Sequence, residues 1–415
     1  MLGIDFGAMN IRMAYKKDGV TKYICNENKS FIPAAIMFTK AGEIAIGTAA
    51  ARQCITNKNG TILSIINFLE KNQTIKINNI EYSQINIVKL FFSKLIEKAE
   101  QNTKEIFNDL LIALPTYVSP ETKDVIKQGV QSAGLNIIGF RDSFDTIWDY
   151  QYVTDEKINK AIIVDAGGYS MDAIILEKQT SYNKCLGIIH NEKLGSDEID
   201  TVLMNYIIKE FKRKEAIDLS CDTMALQRIK EASELCKIRL SAQTETNINL
   251  PFITATYNGP KHLDINISRE LLNQLMADYL SNLKKLLCDL IGQFCISVDD
   301  IDEVLLVGGG AYINSVQQLV KDIFGEKYKN NILNPDELII KGLGLELNTI
   351  AEPVSDVQFN KESENDITGR NMSGTSANQS DSFKERIERL VYLKEMGLIS
   401  ETEFEQKRTE IINLI

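Results

Sequence analysis

Two segments of the chain show the same pattern, in which a short apolar run ends in an aspartate and a glycine turn. The first is MLGIDFG at residues 1–7 and the second is AIIVDAGG at residues 161–168. Each run has the length and composition of a buried strand, and each precedes a run that predicts an antiparallel return strand, IRMAY or SMDAIIL. The repeated pattern predicts two α/β lobes, which we place at residues 1–155 and 156–350.

Helix and strand patterns alternate through the rest of these two segments. Residues 84–103 have helical spacing with Ile87 and Phe91 on one face, and residues 119–134 begin with Ser-Pro and end with Gly, as many helices do. Further helices are predicted at 199–211, 222–241, 267–294 and 315–324, and further strands at 31–38, 43–47, 110–115, 136–140, 248–253, 263–267 and 304–307.

The pattern changes after residue 350. Residues 351–382 are rich in Ser, Asn, Asp, Glu and Gly, so they offer too little apolar surface to offset the entropy of ordering, and we expect a disordered linker. Helical spacing returns at 383–415, with a stop at Gly397 between two apolar stripes. So small a helical hairpin rarely has a sufficient core, and we expect it to bind an unknown protein partner or a second copy of itself. The stripes are Phe383, Ile387, Leu390 and Leu393, and then Phe404, Ile411 and Leu414.

Composition and charge narrow the function classes. The 415 residues are 44% hydrophobic and 25% charged, with a net charge of −11, which argues against a broad nucleic-acid or anionic-membrane surface. We see no signal peptide and no apolar run long enough to span a bilayer, and the seven dispersed cysteines contain no CxxC, so we expect a cytoplasmic protein. His190 and His262 have no cysteines at metal-ligand spacing, and we read them as ordinary surface or core histidines.

The first aspartate turn, GIDFGAMN, carries residue types suited to a phosphate site. Gly7 permits a tight turn, and the backbone N–H groups that follow it at Ala8, Met9 and Asn10 can point at phosphate oxygens. Asp5 at the strand end can hold Mg²⁺ through water, because this hard cation keeps much of its hydration shell and takes few carboxylates.

The second turn, DAGGYSMD at residues 165–172, repeats this chemistry, and VGGGA at residues 307–311 adds a third glycine element against which a flat nucleoside can lie. Taken singly, each signal is weak, since an Asp-x-Gly turn is usually a plain hairpin and a glycine run is usually a loop. Two aspartate turns about 160 residues apart, followed by a strand, three glycines and a helix, form a far more specific order, which predicts ATP or ADP bound with Mg²⁺ between two lobes.

Over about residues 1–350 the chain resembles the ATPase domain of DnaK-type heat-shock chaperones, the heat-shock protein 70 family, within the actin-like ATPase superfamily. Seven segments carry the resemblance in family order: GIDFGAMN, ALPTYVSPETKDVIKQGVQSAGLNIIGF, IIVDAGGYSMDAIIL, KLGSDEID, ASELCKIRLS, VLLVGGGAYI and NPDELIIKGLGLEL. The resemblance implies an actin-like ATPase fold, α/β in class, with two lobes that each contain a mixed sheet flanked by helices.

The resemblance also implies roles for individual residues. Asp5 and Asp165 are expected to position Mg²⁺ and the attacking water, with Ser170 as a further catalytic candidate. The remaining contacts to the nucleotide are expected from Gly7, Ala8, Met9, Asn10, Gly167, Gly168, Tyr169, Ser170, Gly195, Glu234, Lys237, Ser241, Gly308, Gly309, Gly310, Tyr312 and Asp336.

Several positions depart from the family pattern. Ala8 and Met9 stand where the family has two threonines, and Tyr169 where it has the third glycine of the second turn. Ungapped counting places Ile66 at the position of the catalytic lysine, with Lys71 as the nearest alternative. The family's glutamate falls on about Ser143, with Asp142 or Asp145 as possible substitutes, and its adenine-stacking arginines fall on Ile238 and Tyr312.

These departures predict a protein that binds nucleotide and switches conformation with it, with weak or absent ATP hydrolysis, because phosphoryl transfer requires positive charge at the phosphate. A filament or scaffold protein of the actin-like class, with nucleotide-regulated assembly, is the alternative, and a sugar kinase is less favoured because nothing marks a sugar pocket. The family's peptide-binding domain is expected to be absent after residue 350. The C-terminal hairpin, LKEMGLISETEFEQKRTEI, resembles the short C-terminal (SHOCT) module.

Overall fold

The computed structural model describes residues 1–349, without 26–29, 78–79, 153–156, 181, 258 and 330–331, and in addition Phe404 and Glu405. The predicted linker at 351–382 and, apart from these two residues, the predicted hairpin at 383–415 lie outside the described residues.

Seventeen strands are present in this part of the chain. They are β1 Leu2–Phe6, β2 Asn10–Lys17, β3 Val20–Tyr23, β4 Ile32–Pro33, β5 Ile36–Phe38, β6 Ile44–Ile46, β7 Thr61–Ile62, β8 Ile75–Ile77, β9 Ile80–Tyr82, β10 Asp109–Leu114, β11 Asn136–Asp142, β12 Lys160–Ala166, β13 Met171–Lys178, β14 Asn183–Asn191, β15 Glu245–Thr256, β16 Gly259–Ser268 and β17 Glu303–Val307.

Eleven α-helices accompany the strands in the described residues. They are α1 Thr48–Ala51, α2 Ile65–Glu70, α3 Gln84–Thr103, α4 Pro120–Ser132, α5 Ser143–Gln151, α6 Ser196–Glu215, α7 Thr223–Ala242, α8 Arg269–Leu275, α9 Ala277–Gln293, α10 Asn314–Phe324 and α11 Leu338–Thr349.

Two mixed sheets organise the fold. The first sheet has the order β11-β10-β1-β2-β3, with β4 also paired to β2, and the second has the order β14-β13-β12-β17. In the first sheet, β1 runs antiparallel to β2 and parallel to β10. In the second, β12 runs antiparallel to β13 and parallel to β17. The two aspartate turns therefore occupy equivalent places, each joining a central strand to its antiparallel neighbour.

Each sheet packs one face against its own helices. The predicted apolar face of α3 lies on the first sheet, where the ring of Phe6 is 5.3 Å from that of Phe92, centroid to centroid. The second sheet buries Val164 and Met171 against α6, α9 and α10, with Leu203 and Leu287 among the contributing residues. Burial of these large side chains supplies most of the favourable energy of the fold.

The inner faces of the two sheets are covered by α5 and α11, which pack against each other. Phe144 and Trp148 of α5 belong to an apolar cluster with β12, β13 and β17 of the second sheet. Leu343 and Leu347 of α11 pack on Ala14 and on β10 of the first sheet. The two helices therefore fill the layer between the sheets. The lobe boundaries at 155 and 350 stay predictions, since α11 crosses from the second half of the chain to the first sheet.

Phe404 is the one described apolar side chain from the predicted hairpin. It is 8% exposed and belongs to the cluster that contains Phe144 and Trp148. This position of the second predicted stripe is thus buried with the folded domain.

Two predicted elements differ from the structure. The single helix predicted at 267–294 is two helices, because Ile267 and Ser268 still pair with β15 and the chain bends at Met276. The strand predicted at 31–38 is divided into β4 and β5, because the N–H of Ala34 donates to the carbonyl of Met9 in the first aspartate turn, 2.8 Å away.

No helix in the described part of the chain is both long enough and apolar enough to cross a membrane.

Candidate functional site

A cleft of about 340 Å³ lies between the two sheets, at the ends of β1 and β12. Its volume is in the range of small-ligand sites. Sixteen of the residues predicted from the sequence line it: Asp5, Gly7, Ala8, Met9, Asn10, Asp165, Gly167, Gly168, Tyr169, Ser170, Glu234, Lys237, Gly308, Gly309, Tyr312 and Asp336. Gly195, Ser241 and Gly310 do not line it.

The first aspartate turn is tight because its glycine touches the chain that leaves it. The N–H of Gly7 donates to the carbonyl of Asn10 over 3.1 Å, and a Cβ on Gly7 would lie 2.8 Å from the same oxygen. A side chain at this position therefore requires the backbone to move. Asp5, directly before the turn, faces Arg12 across the strand pair.

The second turn has the same construction. A Cβ on Gly167 would lie 2.9 Å from the carbonyl oxygen of Ser170. The first N–H groups of α6, from Ser196 and Asp197, donate to the carbonyls of Gly167 and Gly168 over 3.0 and 2.9 Å. These two bonds tie the turn to the start of α6.

Gly195 belongs to the support of the second turn and not to the cleft surface. A Cβ at Gly195 would overlap the backbone of Gly168 and Tyr169. The predicted place of Gly195 in the site is thus indirect, as the residue that lets α6 approach the turn.

The third glycine element brings β17 close to the second turn. Gly308 has a φ of +80°, and a Cβ there would overlap the carboxylate of Asp165. Gly310 is buried against Ala166, where a Cβ would lie 2.8 Å from the Cβ of Ala166, whereas a Cβ on Gly309 would meet no atom within 4 Å. Gly309 therefore presents open backbone to the cleft, and its two neighbours provide close packing.

The two aspartates at the strand ends are held in an environment that opposes their ionisation. Burial raises the pKa of Asp5 to about 6, although Arg12 acts in the opposite direction. Burial and the charges of Asp172 and Asp5 raise the pKa of Asp165 to about 7. Two carboxylates that share a buried site in this way are suited to receive a cation.

Arg12 forms an ion pair across the cleft that the sequence analysis missed. Its Nη2 lies 2.5 Å from Oδ2 of Asp336, whose Oδ1 accepts a hydrogen bond from the Tyr312 hydroxyl over 2.7 Å. Arg12 thus joins β2 to the segment before α11. The available signal was an arginine inside the apolar run IRMAY, since a charge in a buried strand needs a partner.

The family comparison bears on this geometry directly. The model described as "Hsp70 protein" matches residues 1–73 and 65–361, which is most of the chain. The chain belongs to the Hsp70 family. Membership implies the actin-like ATPase fold, as predicted from the seven segments. The structure agrees with this α/β fold, since it has two mixed sheets with α5 and α11 between them.

Within this Hsp70 chain, α7 contributes Glu234 and Lys237 to the cleft. The amine of Lys237 is already paired, with Oδ2 of Asp200 at 2.6 Å and the carbonyl of Ser196 at 2.9 Å. Ser241 lies one turn further along the helix, where its hydroxyl donates to the carbonyl of Lys237 over 3.4 Å. Of the three residues of α7 that were predicted to contact the nucleotide, Glu234 and Lys237 line the cleft and Ser241 does not.

Ile238 and Tyr312, which stand where the family has its adenine-stacking arginines, both border the cleft. Ile238 is 57% exposed and Tyr312 is 43% exposed, and both line it. An exposed aliphatic and an exposed aromatic side chain are the kinds of surface on which a flat ring can pack.

The position of the family lysine, Ile66, is fully buried in the first core. Lys71, the alternative, lies beyond the second turn, with its amine 2.9 Å from the Tyr169 hydroxyl and 3.3 Å from Glu192. Lys71 borders a neighbouring cavity, which it shares with Met9 and Tyr169.

The two proposed substitutes for the family glutamate do not line the cleft, whereas Ser143 does. Asp142 caps α5, accepting hydrogen bonds from the N–H of Phe144 and the hydroxyl of Thr116. Asp145 accepts a hydrogen bond from the side chain of Asn183. Both carboxylates are therefore engaged in holding α5.

Asp172 and Tyr117 also line the cleft and were not among the predicted site residues. Asp172 was within reach of sequence reasoning, because it is a charged residue in the apolar run SMDAIIL directly after the second turn, and a charge in a buried strand needs a partner. Tyr117 follows β10, and nothing in its local sequence marks it.

Proposed function

We propose that this chain binds ATP or ADP with Mg²⁺ in the cleft between the two sheets. One observation carries the proposal: two aspartate turns of the same construction face one cleft, with the open backbone of Gly309 beside them. Backbone N–H groups of tight glycine turns favour phosphate oxygens, and a glycine surface admits a nucleoside.

The donor set fits the cation that this family uses. Asp5 and Asp165 offer carboxylate oxygens, the ligands that Mg²⁺ prefers, and Gly308 leaves the Asp165 carboxylate unobstructed by a side chain. The described residues contain no group of three or more His, Cys, Asp or Glu side chains arranged to hold a metal. Two carboxylates suit an ion held largely through water. Mg²⁺ held there by Asp5 and Asp165 would supply positive charge to a phosphate group.

We further propose that hydrolysis is slow and that the nucleotide acts mainly as a conformational switch. The position of the family's catalytic lysine, which is expected to place a cation beside the γ-phosphate, is occupied by the buried Ile66. The two cations that line the cleft, Arg12 and Lys237, are each paired with a carboxylate. A phosphoryl group that meets no free cation of the protein gains little stabilisation in the transition state.

Calorimetric titration of the full chain with ATP and ADP, with and without Mg²⁺, tests binding. We expect a melting temperature that rises with nucleotide, because a ligand at 100 times its Kd adds about 2.7 kcal/mol to the free energy of unfolding. Asp165→Ala serves as the matched negative variant. No heat of binding and no melting shift at millimolar Mg·ATP would sink the proposal, whereas binding without phosphate release supports the slow-hydrolysis part.

We propose a cytoplasmic location, which the seven free cysteine thiols favour. We propose that the SHOCT-like hairpin, through residues other than the buried Phe404, recruits a partner or a second copy. Sedimentation with and without ATP distinguishes this from the filament hypothesis, which requires large assemblies that depend on nucleotide.

A further inference from the structure

Three polar residues stand in register across the second sheet, beginning at the cleft. Asp165 of β12 is paired with Asp172 of β13, and Asp172 is paired with His190 of β14. Directly paired residues of antiparallel strands project their side chains from the same face. The row therefore leads from an aspartate of the cleft to a histidine two strands away.

The carboxylate of Asp172 is held at both oxygens. Its Oδ2 accepts a hydrogen bond from the hydroxyl of Ser170 over 2.7 Å, and its Oδ1 lies 2.5 Å from Nδ1 of His190. Asp172 is only 7% exposed and borders the cleft. A buried carboxylate needs hydrogen-bond donors or a cation, and His190 is the basic side chain in contact with it.

His190 also makes contact with the other side of the cleft. Its ring lies 4.2 Å from the ring of Tyr117, centroid to centroid, at 33°. Tyr117 follows β10 of the first sheet, and its hydroxyl donates to the side chain of Asn67 in α2 over 3.3 Å. The imidazole is thus fixed between a carboxylate of the second sheet and an aromatic ring of the first.

The charges around His190 are mainly acidic. Burial disfavours the imidazolium, but the hydrogen bond and charge of Asp172, together with more distant carboxylates, raise the pKa of His190 above its usual 6.5. The acids Glu70 and Glu192 also act on His190. His190 borders a second cavity together with Lys193, Lys285 and Asp289.

We propose that protonated His190 is a positioning residue of the nucleotide cleft, which holds Asp172 ionised and fixed and offsets the acidic row when phosphates bind. This inference rests on the proposed nucleotide binding. It gives the second turn a cationic group, which lies one strand further from Asp165 than Arg12 lies from Asp5. Because the protonated form binds nucleotide more tightly, bound nucleotide raises the pKa of His190 in return.

The chain offers a direct measurement of this linkage, since it contains only two histidines, His190 and His262. The proton resonances of the two imidazoles, assigned with His190→Gln, give the pKa of His190 in the full chain with and without Mg·ADP. At the effective dielectric of proteins, one charge near a phosphate is worth on the order of tenfold in affinity, which corresponds to about one pKa unit. We expect an upward shift of this size for His190 and none for His262, which is exposed.

Affinities of variants provide a second measurement. We expect His190→Gln to bind Mg·ADP about tenfold more weakly than the wild type at pH 6 and equally at pH 8.5, and His190→Lys to keep the tight binding at both pH values. His262→Gln is the matched control and should follow the wild type. His262→Gln keeps the whole acidic row and controls for the ionisation of Asp5 and Asp165, and His190→Lys keeps a cation beside Asp172 at both pH values.

The outcomes separate this inference from the function on which it rests. A wild type that binds no nucleotide at any pH overturns both. A wild type that binds, with an unshifted His190 pKa or with a His190→Gln profile parallel to its own, overturns only the role of His190. Should the glutamine variant fail to fold, His262→Gln assigns the two resonances, and the wild-type titration still decides.

Discussion

The two aspartate turns share a backbone and differ in the charge that lies beside them. A Cβ added at either glycine would lie almost equally close to the facing carbonyl oxygen, 2.8 Å at Gly7 and 2.9 Å at Gly167. Across the strand pair, however, Asp5 meets Arg12, whereas Asp165 meets a second acid, Asp172. The backbone conformation is similar in the two turns. Their charge differs because the paired residue on the neighbouring strand is a base, Arg12, in the first turn and an acid, Asp172, in the second.

The two turns therefore differ in local charge. The first turn is already balanced by a cation, which also anchors Asp336 and thereby the start of α11. In the second turn two acids, Asp165 and Asp172, are paired, and the basic side chain of His190 contacts Asp172.

Removing the cation of the first turn should have the largest effect. Arg12→Ala leaves the carboxylates of Asp5 and Asp336 without their partner, and we expect the free energy of unfolding to fall by about 3 kcal/mol. Urea unfolding at pH 7 measures it. Arg52→Ala, at an exposed position, is the control and should change stability by less than about 0.5 kcal/mol. Wild-type stability in Arg12→Ala would mean that the ion pair contributes nothing to the fold.

The shared backbone is tested by substituting both glycines. Gly7→Ala and Gly167→Ala should destabilise the protein by similar amounts, about 1–3 kcal/mol each, because both added methyl groups collide with a backbone carbonyl. Gly309→Ala is the control, since its methyl group enters open space and should leave the melting temperature unchanged. Clearly unequal losses at positions 7 and 167 would show that the two turns are not equivalent.

The pH dependence of the nucleotide-free protein tests the unequal charge. A carboxyl whose pKa rises from 3.8 to about 7 on folding carries no penalty below pH 4, destabilises the fold increasingly between pH 4 and pH 7, and keeps the full penalty at higher pH. We therefore expect Asp165→Asn to match the wild type at pH 4 and to exceed its stability at pH 8 by about 1 kcal/mol or more.

Asp5→Asn should gain less, because it removes a carboxylate beside Arg12. Thermal melts from pH 4 to pH 8 in the presence of a chelator measure both variants. The contrast between the turns is wrong if Asp5→Asn gains more than Asp165→Asn.

The smallest effect is expected at Lys71. Its side chain is 44% exposed, and an exposed ion pair contributes little, so Lys71→Ala should change stability by less than about 0.5 kcal/mol. Nucleotide affinity should also stay within about twofold, as for an ordinary exposed ion pair. Tyr169→Phe removes the same hydroxyl contact and is the matched variant. A tenfold loss of affinity in Lys71→Ala alone would instead support Lys71 as the replacement for the family lysine.

The sequence predicted the parts of the site that are local in the chain. A strand end, an aspartate and a glycine are adjacent residues, so both turns and the run at Gly308 could be recognised without knowing the fold. The strands β1, β2, β12 and β13 followed from apolar runs, because a strand buried on both faces shows continuous hydrophobicity.

The charge partners could not be predicted in the same way. Which residue faces Asp5 or Asp165 depends on the register of two strands, and the pairing of Asp172 with His190 involves a strand, β14, that shows no long apolar run. Such a strand is half-exposed at the sheet edge, so its pattern resembles a loop. His190 was accordingly taken for an ordinary histidine, although it contacts a residue of the cleft.

The position of α11 has a consequence for how this chain is made. The inner face of the first sheet, including Ala14 and Leu111, is covered by Leu343 and Leu347, and Thr21 donates to the carbonyl of Gly344. During synthesis this face is complete more than 200 residues before its cover exists, a delay of roughly 10 to 50 seconds at 5–20 residues per second. For that time the nascent chain displays apolar surface, and so, on its way to a fold shared with chaperones, it is itself open to aggregation.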